Sequence, residues 1–491
     1  MNFLARLKRP SGVALAPFLL TISALHVVLM AAYWPDALTN TDESMYVTAA
    51  MDFASGSLQG HVLDIETLQP RPQMSSAYPA GTSALQSLLI IPFGWRGAFA
   101  LSLFGLLVTV WACRSMLLAL EQDEWLALLV LLFPPMLVLT RAATSDAINM
   151  ACVSVALAAF FKGIRGPPWQ WWLAGVCGGL VLVFREATIL VVAPLFLGAL
   201  LRRDPGVHRL VIGGLIGAAV RPISAAIVFG NPLFRHPGYG TFALSWLWAN
   251  TPFYLAMTLI VLPGGLLALL AYRGRRAPEI IGGALAYSLL HAAYFYGASE
   301  SGGPHTIVTG GRYLMPALPL FIVAMAAGLA RLNPPAVESS ATPRWHWSWL
   351  GWIRPLLALG AVASLGIHPA MRWWSRPHAD AAMAICKYVP ADARVIINWT
   401  VLSKAVAPAY CDRAFIDYSA TTPEQLARWS RDSHPLYLAI GIRTDSPDYT
   451  SRNAGTLRWL DSHVHPDQRR AVYEASGHAP QVHIWQVVRP L

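Results

Sequence analysis

Charge is scarce in this chain. Charged residues make up 13% of 491 positions, about half the roughly 25% of ordinary soluble domains. With 55% apolar residues, that shortage excludes a string of soluble domains. Lysine is nearly missing: Lys8, Lys162, Lys387 and Lys404 stand against a total of 36 basic side chains, the rest arginine. The net charge is +10, yet no basic run and no nucleic-acid motif occurs, so no nucleic-acid partner is expected. The excess belongs to membrane-flanking loops and anionic leaflets. Cysteine is also sparse, at five residues, with no metal-ligand spacing. Cys113, Cys152 and Cys177 lie in apolar runs as small hydrophobes. Cys386 and Cys411 share a polar C-terminal region, and the sequence leaves open whether they pair, which an oxidising compartment would allow. No internal repeat is visible, which weighs against a secondary transporter.

What is abundant is apolar sequence of membrane length. The runs at about 13–34, 98–120, 125–140, 147–164, 170–184, 187–201, 208–229, 251–271, 279–297, 313–330 and 349–367 predict about eleven transmembrane helices. Residues 82–93 form a shorter apolar stretch, read as an interfacial or re-entrant helix. The first run follows Arg6, Lys8 and Arg9 like a signal peptide. It is longer than the usual apolar core of one and lacks a small-residue cleavage site, so it reads as an uncleaved first helix.

Basic residues then orient the chain. With the N-terminus in the cytoplasm, Arg6, Lys8 and Arg9, Lys162 and Arg165, Arg202 and Arg203, and Arg273, Arg275 and Arg276 all fall inside, as the positive-inside rule requires. Residues 372–491 then fall outside. They are polar, with strand-like R-V-I-I-N-W, L-Y-L-A-I-G-I and V-H-I-W-Q-V-V. Helix-like H-A-D-A-A-M-A-I-C-K-Y and T-P-E-Q-L-A-R-W alternate with them, the latter with Thr422 as cap and Pro423 at the first position. The expected fold is therefore an α-helical polytopic membrane protein, with a transmembrane domain over 1–371 and a small C-terminal periplasmic α/β domain over 372–491.

The unusual polar residues collect on the outer side. The first outer loop, 35–82, carries T-N-T-D-E-S-M-Y at 39–46 and ends in S-A-Y-P-A-G-T. The next outer turn reads R-A-A-T-S-D at 141–146, Arg185 and Glu186 interrupt a helix pair, and a late loop with His305 runs into G-R-Y-L-M-P-A-L-P. Each has an ordinary structural reading: Asp42 and Glu43 as loop acids, Asp146 as a helix-start acid, Arg185 as a snorkelling cation, Arg312 and Tyr313 as interfacial anchors. Tyr78 would simply start the short helix, and His305 would be an idle surface residue. Together they place acids able to act as a base, and arginines able to hold a phosphate, at one membrane surface. Arg221 lies inside a predicted span, where it either faces a polar cavity or marks a misplaced span boundary.

In order and on the same side, T-D-E-S-M-Y-V-T-A-A, Y-P-A-G-T-S-A-L-Q-S-L-L, T-R-A-A-T-S-D-A and G-R-Y-L-M-P-A-L-P resemble the GT-C superfamily of integral-membrane glycosyltransferases. The similarity is to the bacterial lipid A aminoarabinose transferases and protein O-mannosyltransferases, over about 1–330. Ala80 stands where that family usually has a second proline. The resemblance implies a polyprenyl-phosphate-linked sugar donor and an envelope acceptor: lipid, glycan or protein. It also implies inverting transfer at the outer face of the cytoplasmic (inner) membrane. Asp42 would be the catalytic base. Arg185 and Arg312 would offset the leaving phosphate, with Arg71 and Arg235 behind them. Glu43 and Asp146 would bind acceptor or shape the surroundings of the base, and Tyr78, Tyr313 and His305 complete the substrate-binding set. No cofactor and no metal are expected, although Asp42, Glu43 and Asp146 are the acids that would share a divalent ion. The competing reading is a multispan transporter or flippase of lipid-linked sugars.

Overall fold

The computed structural model describes residues 15–73, 78–234, 242–294, 310–332, 349–442, 447–475 and 481–488. Among these residues, six helices are long and apolar enough to cross a bilayer: Leu15–Ala32, Trp95–Ala119, Asp146–Gly163, Val207–Phe229, Arg312–Leu332 and Trp352–Tyr388. The chain is a mostly helical, multi-pass membrane protein. Shorter apolar helices, Ala80–Phe93, Trp169–Phe184 and Glu186–Leu201, accompany them.

Several expected spans are interrupted, and the breakers are local. The run 125–140 divides into Glu124–Leu128, Leu129–Leu132 and Pro134–Leu139. Pro134 has no N–H to donate and pushes Phe133 to extended geometry, φ −80° and ψ 106°. The run 251–271 divides into Trp246–Val261 and Gly265–Leu270, parted at Pro263 and at Gly264, whose φ is +75°. The last expected span ends at Ser364, and a second helix, Ile367–Tyr388, follows almost without pause. The sequence-derived boundary between 371 and 372 therefore falls inside a helix. The helix runs on through Pro377, and His368, Met371, Ser375, Ala379 and Ala382 form one continuous buried stripe.

Helix packing within the membrane relies on small residues. Helices Trp169–Phe184 and Val207–Phe229 meet through Gly175 and Gly179 on one side and Gly213 and Gly217 on the other. A Cβ at Gly179 would lie 2.3 Å from the Gly214 carbonyl oxygen, and one at Gly217 would lie 2.2 Å from that of Val176. Only glycine lets the two backbones approach this closely.

The polar loop after the first long helix holds a helix, Thr41–Ala54, and an antiparallel hairpin of β1 (Gly60–Leu63) and β2 (Pro70–Gln73). The C-terminal region contains a five-stranded mixed sheet, where three strands were expected. β3 (Arg394–Ile397), β4 (Ala414–Asp417), β5 (Leu436–Ile442), β6 (Arg469–Glu474) and β7 (Gln481–Val487) lie in the order β4-β3-β5-β7-β6. β3 is parallel to β4 and β5, and β7 is antiparallel to β5 and β6. Strand alternation divides the core: Val395 and Ile397 pack with Ile385 of the helix Ile367–Tyr388. Ile396 faces Leu426, Trp429 and Leu460 on the other side. Thr422 caps the helix Pro423–Trp429 by accepting from the Gln425 backbone, with Pro423 at its start, as the sequence implied. Cys386 and Cys411 form a disulfide.

Candidate active site

Helix Thr41–Ala54 begins with a capping box. The Asn40 side chain accepts from Glu43 N at 3.0 Å, and Asn40 N donates to Glu43 Oε2 at 3.3 Å. This cap places two successive acids in the first turn, where the helix dipole favours them. Successive residues on a helix point about 100° apart, so the two carboxylates face different surroundings.

Glu43 points inward and is 0% exposed. It accepts from Thr39 N, from Thr39 Oγ1 at 3.1 Å and from Ala143 N at 3.1 Å. Burial pushes its carboxyl up to about 7, against the pull of these hydrogen bonds. Glu43 thus ties the first-loop helix to the 141–146 turn. The same turn is held by Gln86, which donates to Ala143 O at 3.0 Å, by Ser102, which donates to Ala142 O at 2.5 Å, and by Tyr46, whose hydroxyl donates to Ser145 Oγ at 3.0 Å.

Asp42 points outward, with its side chain 27% exposed. Its Oδ1 accepts from the Tyr78 hydroxyl at 3.0 Å, and its Oδ2 lies 3.2 Å from Arg312 Nη1. Burial, and after it the Asp42 charge, raise the Tyr78 phenol, so Tyr78 is the donor. Its ring stacks on Tyr46 at 4.7 Å. Asp146 opens the helix Asp146–Gly163 and pairs with Arg185 Nη1 at 2.6 Å. Arg185 ends the helix Trp169–Phe184 in extended geometry, which turns it back toward Asp146. The two arginines converge on Tyr313: Arg185 lies 5.8 Å from the ring centre and Arg312 lies 5.1 Å from it. Tyr313 also stacks on His291 at 4.9 Å, and its hydroxyl accepts from Arg312 at 3.1 Å.

Residues far apart in the chain therefore meet at one end of the bundle: Asp42 with Tyr78 and Arg312, Asp146 with Arg185, and both arginines with Tyr313. Arg71 stands apart, paired with Asp64 in the hairpin. His305 and Arg235 lie outside the described residues. Arg221 pairs with Glu186, at 2.8 and 2.5 Å, and donates to Phe234 O. Among the described residues no three His, Cys, Asp or Glu side chains group to hold a metal ion. Asp42, Glu43 and Asp146 each have protein partners. Sequence reading missed Tyr287 and His291, packed edge to face at 4.6 Å beneath Tyr313. A histidine within an apolar span was the available signal.

No protein-family model and no curated protein matches the sequence. Solved structures do. The crystal structure of ArnT from Cupriavidus metallidurans bound to undecaprenyl phosphate matches with a TM-score of 0.58 at 16% identity, covering 97% of this chain and 99% of that one. The apo form of ArnT from the same organism matches with a TM-score of 0.55 at 15% identity and the same coverage. The cryo-EM structure of the arabinofuranosyltransferase AftD from Mycobacteria matches with a TM-score of 0.50 at 15% identity, over 97% of this chain and 42% of that chain. At 15–16% identity the likeness is one of fold, and the chain shares that fold over nearly its whole length with ArnT.

Proposed function

We propose that this protein is an inverting glycosyltransferase that moves a sugar from a polyprenyl-phosphate-linked donor to an envelope lipid, glycan or protein. The observation that carries the reading is the placement of Asp42: a partly exposed carboxylate bonded to Arg312, beside a second arginine, Arg185, on the same aromatic ring. The likeness to ArnT, whose crystal structure is bound to undecaprenyl phosphate, supports a lipid of that class as donor carrier.

Asp42 is the catalytic base in this scheme. Its carboxylate takes the proton of the acceptor hydroxyl as that oxygen bonds to the anomeric carbon. The bond from that carbon to the phosphate oxygen breaks with inversion, and the lipid phosphate leaves with the electron pair. Arg312 and Arg185 offset the developing charge. When the donor phosphate draws the Arg312 guanidinium to itself, Asp42 Oδ2 is released for the acceptor proton. Glu43 and Asp146 shape this arrangement from inside, the first by fixing the turn and the second by orienting Arg185.

The same reading sets the chain in the inner membrane with about eleven crossings, its N-terminus cytoplasmic and the sheet region periplasmic. That puts the site at the outer surface. No metal or other cofactor takes part.

The test is deletion of the gene and complementation with wild type or Asp42→Asn at matched membrane levels, followed by mass spectrometry of lipid-linked sugars and envelope glycans. Under this proposal the deletion and the variant both accumulate one lipid-linked sugar, and one glycan loses the matching mass. If both pools are unchanged on deletion, the transferase reading fails.

A further inference from the structure

We infer that Tyr410, held in place by the Cys386–Cys411 disulfide, is a positioning residue for Asp42. The inference rests on the reading of Asp42 as the base. The Tyr410 hydroxyl accepts a hydrogen bond from Leu38 N at 2.6 Å, across 372 positions of chain. Leu38 is 0% exposed, so its N–H has no recourse to water and depends on that oxygen. Leu38 is followed directly by Thr39 and Asn40, the residues that hold Glu43 and cap the helix bearing Asp42. Tyr410 is itself packed edge to face on Trp95 at 5.2 Å.

Tyr410 lies on the segment between the short helix Trp399–Leu402 and β4, and its neighbour Cys411 ties that segment to Cys386 on the helix Ile367–Tyr388. That helix grips the same stretch of the first loop from the other side. Arg372 donates to Trp34 O at 3.2 Å and pairs with Asp36, while His368 meets Arg141 at 3.2 Å, at the start of the 141–146 turn. Residues 34–38 are therefore held between the helix and the tyrosine, and the disulfide joins the two holders. Loss of the tyrosine oxygen frees the segment two residues before the Asn40 cap while leaving both hydrophobic cores intact.

The experiment compares wild type, Tyr410→Phe, the double variant Cys386→Ser/Cys411→Ser and Asp42→Asn as full-length protein in detergent. The donor probe is the lipid-linked sugar fraction extracted from cells lacking the protein, and each variant is assayed with and without dithiothreitol. Tyr410→Phe is expected to lower kcat about tenfold with KM for the donor fraction within about twofold, because a displaced base costs turnover rather than donor binding. The cysteine variant and reduced wild type behave alike, and reduction adds nothing to Tyr410→Phe. Amide exchange at 38–43 rises in the same three samples. The inference is overturned if Tyr410→Phe keeps wild-type kcat while Asp42→Asn is inactive. It is also overturned if reduction slows Tyr410→Phe as much as wild type, or if exchange at 38–43 is unchanged. An active Asp42→Asn overturns the base assignment and this inference with it.

Discussion

Arg312 lies 3.2 Å from Asp42 although 270 positions separate them. One residue opens a late span and the other opens a loop helix near the start of the chain, so the pair forms only when the bundle closes. This contact joins the two halves of the proposed chemistry, base and phosphate-binding cation.

Replacing either partner separates those halves. Asp42→Asn should lower turnover by about 10²- to 10⁴-fold, the usual worth of a general base. Arg312→Ala should lower it by about 10²- to 10³-fold through lost charge stabilisation, and Arg312→Lys should rescue only part, since lysine lacks the planar fork. Initial rates in purified protein, with thermal midpoints as the folding control, check all three.

Asp146 and Arg185 form a nearly buried pair, with side-chain exposures of 3% and 23%. Asp146→Ala leaves a cation without its partner and should cost about 3 kcal/mol or more of stability. The double variant Asp146→Ala/Arg185→Met should recover part of that loss. A double-mutant cycle on thermal unfolding measures the coupling; additive losses would show that the two do not act as a unit.

Glu43 carries a pH signature. Its carboxyl is raised by burial from 4.5 to about 7, so between those values the folded state holds more proton than the unfolded state. The Glu43 contribution is thus most favourable at or below about 4.5 and is lost as pH rises through about 7. Glu43→Gln cannot titrate, and its amide N–H groups would face backbone donors. It should unfold at lower temperature than wild type and lose this part of the pH dependence. Thermal midpoints of both proteins from pH 5 to 8 provide the comparison.

Chelation gives a separate expectation. Protein treated with EDTA and exchanged into metal-free buffer should retain its initial rate on the extracted lipid-linked sugar fraction. A loss restored by a divalent ion would overturn the metal-free scheme.

Much of this was legible before folding. The polar islands 39–46, 141–146 and 312–313 stood out because charge is costly near lipid, and they do meet. Thr422 and Pro423 announced their helix through local geometry alone. β2 was hidden, since Pro70 and Pro72 argue against a strand; the hairpin survives because it is a two-stranded edge. The interruption at Pro134 was masked by the apolar residues around it. Nothing near Tyr410 pointed to Leu38, and nothing near Arg141 pointed to His368, because such partners are set by packing between distant segments.

Composition and periodicity by themselves determined that the chain enters a membrane, where its polar residues gather and that a strand-bearing region follows the helices. These follow from transfer free energies and backbone periods, which act residue by residue. Only the tertiary structure decided that Asp42 faces outward with Arg312 while Glu43 turns inward to Ala143, and that Cys386 meets Cys411. Adjacent acids have the same intrinsic chemistry, and what separates them is which distant backbone N–H or guanidinium the closed fold brings within reach.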